Sequence, residues 1–407
     1  MKKIIIQKFG GSSLASAESR NQAAQRVIAT RNQGYEVILV VSAIGRKGDP
    51  YATDTLIDLA KEVNREINPR ELDILLNCGE IISAVIMAQV FKGLGIDAIV
   101  LTGAQAGIIT DDNYNEAKIL KIETEKLKNC LRENKLIIVC GFQGITPDGQ
   151  LTTLGRGGSD TTAAALGVAL NAEYIDIFTD VDGIKTADPR IVENAKTLAT
   201  ITYTESCNLA QQGAKVIHPR AVEIAMQKNI PIRIKSTFTD SPGTLITNNG
   251  NNHQTVEISG QRLVTGITHM PNIAQIKVLT EQVEEQKKIN LNIFKSLALA
   301  NISVDFINVH PQQVLFTVKD SEIEKTIQIL GTLGLKPEIL EDCAKVSVVG
   351  ANIAGVPGVM SSIVEALSEE DIKILQTADS HTTIWCLVRK KDMEKAIRAL
   401  HKKFNLS

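Results

Sequence analysis

A chain of 407 residues is too long for one hydrophobic core and divides into two or three domains. Its 43% hydrophobic and 22% charged residues are the proportions of an ordinary globular protein. A net charge of −2, with no basic arm or acidic tail, argues against nucleic acid and anionic membrane as partners. The first apolar run stops at Gln7-Lys8, far short of a secretory signal core, and no stretch approaches a membrane span. The six cysteines show no CxxC pairing and read as reduced, buried thiols of a cytoplasmic protein.

In chain order, residues 4–6 form a short apolar strand running into Lys8-Phe9-Gly10-Gly11-Ser12-Ser13. Residues 16–33 are helical, with Gly34 suited to end the helix. The pattern recurs: a strand at 37–41 ends in Ser42-Ala43, and a polar loop at 45–50 leads to a helix near 54–64. After Asn68-Pro69 a long helix carries Gly79-Glu80. Further strands are expected at 98–101, 137–140, 174–178 and 231–234. Strands without apolar–polar alternation, separated by helices, predict an α/β fold up to about Ile246: a mainly parallel sheet sandwiched by helices.

Three polar clusters sit where these strands end. The first pairs Lys8 with Gly10, Gly11 and Ser12; backbone donors with a point charge suit phosphate, while a solvated strand end is the plainer alternative. The second, residues 152–162, sets Arg156 among Gly155, Gly157 and Gly158 ahead of a helical run. Glycine loop, helix amino end and guanidinium together suit a carboxylate or phosphate. Ser159 and Asp160 are also good N-cap residues, which leaves a structural role open for them. The third follows the strand at 174–178 and holds Thr179, Asp180, Asp182, Lys185, Asp188 and Arg190. It suits ribose hydroxyls, Mg2+ or phosphates at a carboxyl edge, and it is equally rich in turn formers. Lys215 adds a cation after a helical segment, and His218, followed at once by Pro219, reads as structural. Neither GxxxxGK[ST] nor GxGxxG occurs.

With these motifs, and with 213–220, the chain resembles the aspartokinases of the amino-acid kinase family, and the resemblance extends to its C-terminus. It implies ATP-dependent phosphorylation of the β-carboxylate of L-aspartate, the first step toward lysine, threonine and methionine. It implies Lys8 and Asp160 as catalytic residues, Lys8 bridging the transferring phosphate and Asp160 helping to finish the aspartate pocket. Arg156 would meet the α-carboxylate of aspartate, Glu80 its ammonium, and Ser42 and Ser159 would complete that pocket. Gly10, Gly11, Ser12, Thr179, Asp180, Lys185, Asp188, Arg190 and Lys215 would face ATP. ATP and Mg2+ are the implied cofactors, and no residue is assigned as a metal ligand. Residues 45–54 look like the form found in the diaminopimelate-responsive isozyme of spore-forming bacteria.

Residues 247–253 are a polar junction, so the catalytic domain is set at 1–246 and a linker at 247–260. Beyond it the sequence repeats itself at an offset of 70: 274–278 matches 344–348, 301–304 matches 371–374, and 314–318 matches 384–388. Each copy reads strand–helix–strand–strand–helix, a ferredoxin-like unit. The resemblance names these βαββαβ units ACT domains, which bind amino-acid effectors and pair between subunits into a homo-oligomer. The first copy is set at 261–341 and the second at 342–407. The second has no closing strand of its own, so the apolar segment 263–267 is expected to complete its sheet, with the first copy inserted within it. Lysine, threonine or diaminopimelate is the implied effector. Its carboxylate is expected at Ile353, Gly355, Val356, Pro357 and Gly358, with His381 nearby, because the matching loop at 283–288 is acidic and lacks glycine. A kinase acting on glutamate or acetylglutamate would share the Lys8 motif without explaining the repeats. A non-catalytic amino-acid sensor would explain the repeats without needing Lys8, Arg156 and the 179–190 cluster.

Overall fold

The apolar runs become buried strands, as runs without alternation must when both sheet faces are covered. The computed structural model of the chain describes residues 2–248, 263–280, 286–351, 353 and 355–407. Most of the expected linker 247–260, with 261–262 and with 283–285 of the first repeat's loop, lies outside the described residues.

The chain divides into two units. The first comprises the described residues of Met1–Ile184, Thr197–Ala210 and Lys215–Glu257. The second comprises those of Lys185–Lys196, Gln211–Ala214 and Ile258–Ser407. This division differs from a single boundary near residue 246, since two short segments of the kinase-like sequence belong to the second unit.

The first unit opens with β1 (Ile4–Phe9), α1 (Ala17–Asn32), β2 (Glu36–Val41), α2 (Thr53–Val63) and α3 (Pro69–Gly93). Ser16 caps α1 in a reciprocal pair: its hydroxyl accepts from the Ser19 N–H and its own N–H donates to Ser19 Oγ. Next come β3 (Ala98–Leu101), β4 (Ile108–Thr110), β5 (Ile119–Ile122), α4 (Glu125–Arg132), β6 (Leu136–Cys140), β7 (Gln143–Ile145) and β8 (Leu151–Thr153). Then follow α5 (Gly158–Leu170), β9 (Tyr174–Thr179), β10 (Thr200–Ile201), α6 (Tyr203–Gln211), α7 (Pro219–Met226), β11 (Ile232–Ser236) and β12 (Thr244–Ile246).

An eight-stranded sheet runs β10-β12-β11-β9-β1-β2-β6-β3, parallel throughout except where β11 meets β12. A separate four-stranded sheet, β5-β4-β7-β8, is an addition that the apolar pattern does not announce. The helix α3 departs from the expectation that nothing approaches a membrane span: it is long and apolar enough to cross a bilayer. Here it packs as a core helix, burying Asp73, Asn77 and Glu80 beside Leu76, Met87 and Phe91. The cysteines also depart in part from expectation. Cys130, Cys140, Cys343 and Cys386 are buried, but Cys78, on α3, is exposed and Cys207, on α6, is half-buried.

The second unit contains β13 (Gly266–Leu279), α8 (Gln286–Leu299), β14 (Asp305–Val309), β15 (Gln313–Lys319), α9 (Ile323–Thr332) and β16 (Glu338–Val349). It continues with α10 (Val359–Ser368), β17 (Gln376–Asp379), β18 (Thr383–Arg389) and α11 (Met393–Lys403). One sheet, β14-β15-β13-β16-β18-β17, serves both sequence repeats. The first part of β13, Gly266 to Pro271, pairs with Val349 to Ala344 of the second repeat. From Ile273 onward β13 pairs with β15 on its other edge, and after two register shifts against β16 its Gln275 to Lys277 pair with Leu340 to Glu338. Val264 and Ile267 lie in one buried cluster with Val346, Val348, Ile363 and Leu400, whereas Ile276, Val278, Phe316 and Leu330 form another. Ala187, Val192 and Ala195 join the former cluster, and the Thr186 hydroxyl donates to the Leu406 carbonyl.

Candidate active site

Parallel pairing makes several strands of the first unit end together. Phe9 lies opposite both Val41 and Phe178, and Val41 lies opposite Cys140. The rings of Phe9 and Phe178 stack at 4.5 Å beneath that edge. Lys8, one residue earlier on β1, projects to the other face and forms an ion pair with Asp160 Oδ1 at 2.7 Å. Both side chains are nearly buried, so solvent screens the pair little.

The loop after β1 is clamped to the loop after β2. The Ser42 N–H donates to the Phe9 carbonyl and the Gly45 N–H to the Gly11 carbonyl. A Cβ on Gly11 would lie 2.3 Å from the Gly45 carbonyl oxygen, so only glycine permits this approach. Gly10 donates to the carbonyl of Phe178, which ties the same loop to β9. Ser12 is half-buried in the short 3-10 turn that follows. Beyond β9, Thr179 donates its hydroxyl to Asp180, and Asp180 pairs with the exposed Arg46, a partner that the motif pattern did not single out.

Glu80 reaches the same edge from α3. It is 2% exposed, and its Oε1 accepts the Ala43 N–H at 3.0 Å while Oε2 has no hydrogen-bond partner. Burial pushes its pKa up to about 8, and the Cys140 thiol rises to about 12 through its own burial and the nearby Glu80. A buried carboxyl with one bare oxygen is a ready receptor for a cationic donor.

The loop from β8 to α5 differs from expectation at its cap. Gly157, in the left-handed region at φ 70°, occupies the N-cap position without a side-chain cap. Ser159 and Asp160 therefore sit inside the first turn, both buried, and Asp160 is turned to Lys8 instead. A Cβ on Gly157 would collide with the His218 ring at 2.3 Å, which explains why a glycine stands there. His218 caps α7 through Nδ1, accepting the Arg220 N–H, and its burial lowers its pKa. Arg220 donates to the carbonyls of Leu154 and Ala117, so both residues support the loop structurally. Arg156, at the crest of this loop, is exposed and has no ion-pair partner among the described residues.

Asp73 is a site-supporting residue that motif reading missed. Its buried carboxylate accepts from the Thr153 N–H, the Thr153 hydroxyl and the Asn115 N–H. Lys215 is exposed in the first unit. Lys185, Asp188 and Arg190 belong to the second unit. There the Arg190 guanidinium forks onto Asp188 at 3.0 and 2.7 Å and holds its pKa down. Among the described residues no cluster of three His, Cys, Asp or Glu side chains is arranged to hold a metal ion.

A profile of the amino acid kinase family matches residues 3–236, and one described as an ACT domain matches residues 338–402. Aspartokinase 1 of Bacillus subtilis (strain 168) is 51% identical over 405 residues, with 100% of both chains covered. The structure of E. coli aspartokinase III in complex with aspartate and ADP superposes with a TM-score of 0.79 at 26% identity, covering 98% of this chain and 99% of that one. The form of that enzyme with lysine and aspartate gives 0.78 at 25% identity over the same shares. Matched along its whole length in sequence and in fold, the chain belongs to the aspartokinases of the amino acid kinase family.

Proposed function

We propose that this chain transfers the γ-phosphoryl group of ATP to the β-carboxylate of L-aspartate, giving 4-phospho-L-aspartate and ADP. A carboxylate oxygen attacks the γ-phosphorus, the bond to the β-phosphate oxygen breaks, and ADP leaves with that electron pair. The nucleophile is already ionised, so no general base is required. The difficulty is repulsion between the carboxylates of aspartate and a polyphosphate, which cations and loop N–H groups offset while holding the attack in line.

The observation that carries the reading is the set of incompletely paired charges around one sheet edge. Lys8, oriented by Asp160, supplies the cation for the transferring phosphoryl group. Glu80 presents an unpartnered carboxylate oxygen for the substrate ammonium, and the exposed Arg156 presents a guanidinium for its α-carboxylate. Ser42 and Ser159 line the same pocket in this reading. Gly11 lets the turn after β1 pack against the Ala43 and Gly45 backbone, and the Gly10 backbone beside Lys8 is assigned with it to the phosphates. Within the first unit, Ser12, Thr179, Asp180 and Lys215 are assigned to ATP. Mg2+ would be held chiefly by the phosphates, as is usual for this hard cation, with Asp180 just past the end of β9 as a candidate carboxylate.

E. coli aspartokinase III was solved with aspartate and ADP, and separately with lysine and aspartate. For this chain we assign an amino-acid effector, lysine, threonine or diaminopimelate, to the second unit. Gly355 and Gly358 there adopt φ of 76° and 94° in an exposed loop ahead of α10, with almost nothing near their Cα atoms. Ile353 anchors that loop in the core, and His381 is exposed in the β17–β18 turn. Exposed Ile307 and Val309 on β14 support self-association through this unit. Free thiols fit a cytoplasmic location.

The deciding experiment is ATP-dependent hydroxamate formation, run in parallel with aspartate, glutamate and acetylglutamate. Product with aspartate alone is expected. Turnover of glutamate in preference to aspartate would sink the assignment.

A further inference from the structure

Arg156 stands on a loop rich in glycine, yet its guanidinium must meet a small carboxylate with little positional error. Such a loop has to be held from outside, and α3 holds it. Asp73 is fully buried and accepts hydrogen bonds from both sides of the loop's base. Its Oδ2 takes the Thr153 N–H at 2.9 Å and the Asn115 N–H at 3.0 Å, and its Oδ1 takes the Thr153 hydroxyl at 2.5 Å. Thr153 ends β8 three residues before Arg156. Asn115, itself at φ 69°, places its carbonyl oxygen 3.0 Å from where a Cβ of Gly155 would be, so it walls the loop on its other side. Asn77, one turn along α3, donates to the Asp73 carbonyl at 2.7 Å and approaches the Thr152 carbonyl at 3.5 Å.

Asp73 and Glu80 are seven residues apart on one helix, hence on one face and about 10 Å apart along its axis. The two receptors assigned to the amino-acid end of the substrate are thus referenced to the same rigid element: Glu80 directly, Arg156 through Asp73. We propose that Asp73 is a positioning residue that sets Arg156, relative to Glu80, for the α-carboxylate of the substrate. This rests on the aspartate kinase reading given above. Asparagine at 73 could keep the clamp, its carbonyl oxygen taking both backbone N–H groups and its amide donating to the Thr153 hydroxyl, whereas alanine removes both acceptor oxygens and leaves all three donors without that partner.

The test is a double-mutant cycle on the full-length protein with steady-state kinetics. Wild type is measured first, and absence of aspartate-dependent turnover would remove the functional reading and this proposal with it. With wild type active, Asp73→Ala should raise the KM for aspartate by about 10–100-fold while kcat and the KM for ATP stay within about threefold. In an Arg156→Ala background the same substitution should add less than about twofold, since it acts through the residue already removed. Thr153→Val, which deletes only the hydroxyl bond, should raise the aspartate KM by about 3–10-fold and decides the matter if Asp73→Ala does not fold. An unchanged aspartate KM, an equal rise for ATP, or full additivity with Arg156→Ala would overturn the proposal and leave Asp73 as a general stabiliser.

Discussion

Lys8 and Arg156 carry like charges into one site, but they face groups whose charge behaves differently during the reaction. The substrate's α-carboxylate is an anion before, during and after transfer, so a guanidinium on it binds ground state and transition state alike. Replacing Arg156 with alanine should therefore raise the KM for aspartate with a lesser effect on kcat. The transferring phosphoryl group is charged throughout but its charge redistributes toward the leaving oxygen as the bond breaks, so a cation placed there gains in the transition state and Lys8→Ala should lower kcat by on the order of 10²–10³. Steady-state kinetics of both variants check this, and matching kcat losses at constant KM would refute the division. Glu80 supplies a second prediction, through its proton. Its pKa is raised from an ordinary 4.5 to about 8 by burial, so the folded protein keeps a proton that the unfolded chain releases over that range. Stability from this group is complete below about pH 4.5 and is lost as pH rises toward 8; Glu80→Gln should flatten that part of the denaturation profile. A substrate ammonium favours the ionised form, so aspartate binding at pH 7 should release a proton. Calorimetry in buffers of different ionisation enthalpy measures it, and no proton release would count against Glu80 as the ammonium site.

At the level of elements, the site depends on how closely two loops approach. The turn after β1 and the turn after β2 touch backbone to backbone at Gly11, where an added methyl would sit 2.3 Å from the Gly45 carbonyl and 2.5 Å from that of Ala43. Neither neighbour is a flexible side-chain tip, so Gly11→Ala must push the loops apart. We expect kcat/KM to fall by on the order of 10²-fold and stability to drop by about 1–3 kcal/mol. Gly93, at the end of α3, would have nothing within 4 Å of an added methyl and is the matched control. Gly93→Ala should be neutral or stabilising by up to about 1 kcal/mol. Parallel chemical denaturation and kinetics of the pair decide it; equal effects would show that the loop approach has no special role.

At the scale of the whole molecule, the two sequence repeats are not two separate beads. β13 and β16 each run through both, so either repeat loses its central strands if the other unfolds. Regulation through this unit gives a prediction that leaves the kinase machinery untouched. Val356 is 40% exposed in the loop ahead of α10 and, unlike Gly355 and Gly358, is not in the left-handed region, so it can be replaced without backbone strain. Val356→Glu should repel an effector carboxylate and raise the half-inhibitory concentration of the active effector by about tenfold or more, with kcat unchanged. Titration of lysine, threonine and diaminopimelate against activity reads the result, and unaltered inhibition would move the effector elsewhere.

Much of the architecture was legible in the residues because burial on both faces leaves strands continuously apolar: 37–41, 137–140 and 174–178 are β2, β6 and β9 within a residue or two. The polar clusters at their ends were legible because glycine beside lysine or arginine at a strand terminus has few structural uses. The four-stranded sheet was not, since β4, β5, β7 and β8 are three or four residues long and carry no period to detect. Nor was the cap of α5: Ser159 and Asp160 have the chemistry of caps, and only the packing of His218 on Gly157 and of Lys8 on Asp160 moved them into the helix. Asp73 lay hidden in an apolar helical run, its seven-residue spacing from Glu80 meaningful only once β8 was known to pass beside it. Local composition determined which segments became strands and helices and which loops carried charge, because those follow from short-range pattern. Which buried carboxylate meets a hydroxyl and which a lysine was decided by contacts between residues 80 and 152 positions apart, which no local pattern encodes.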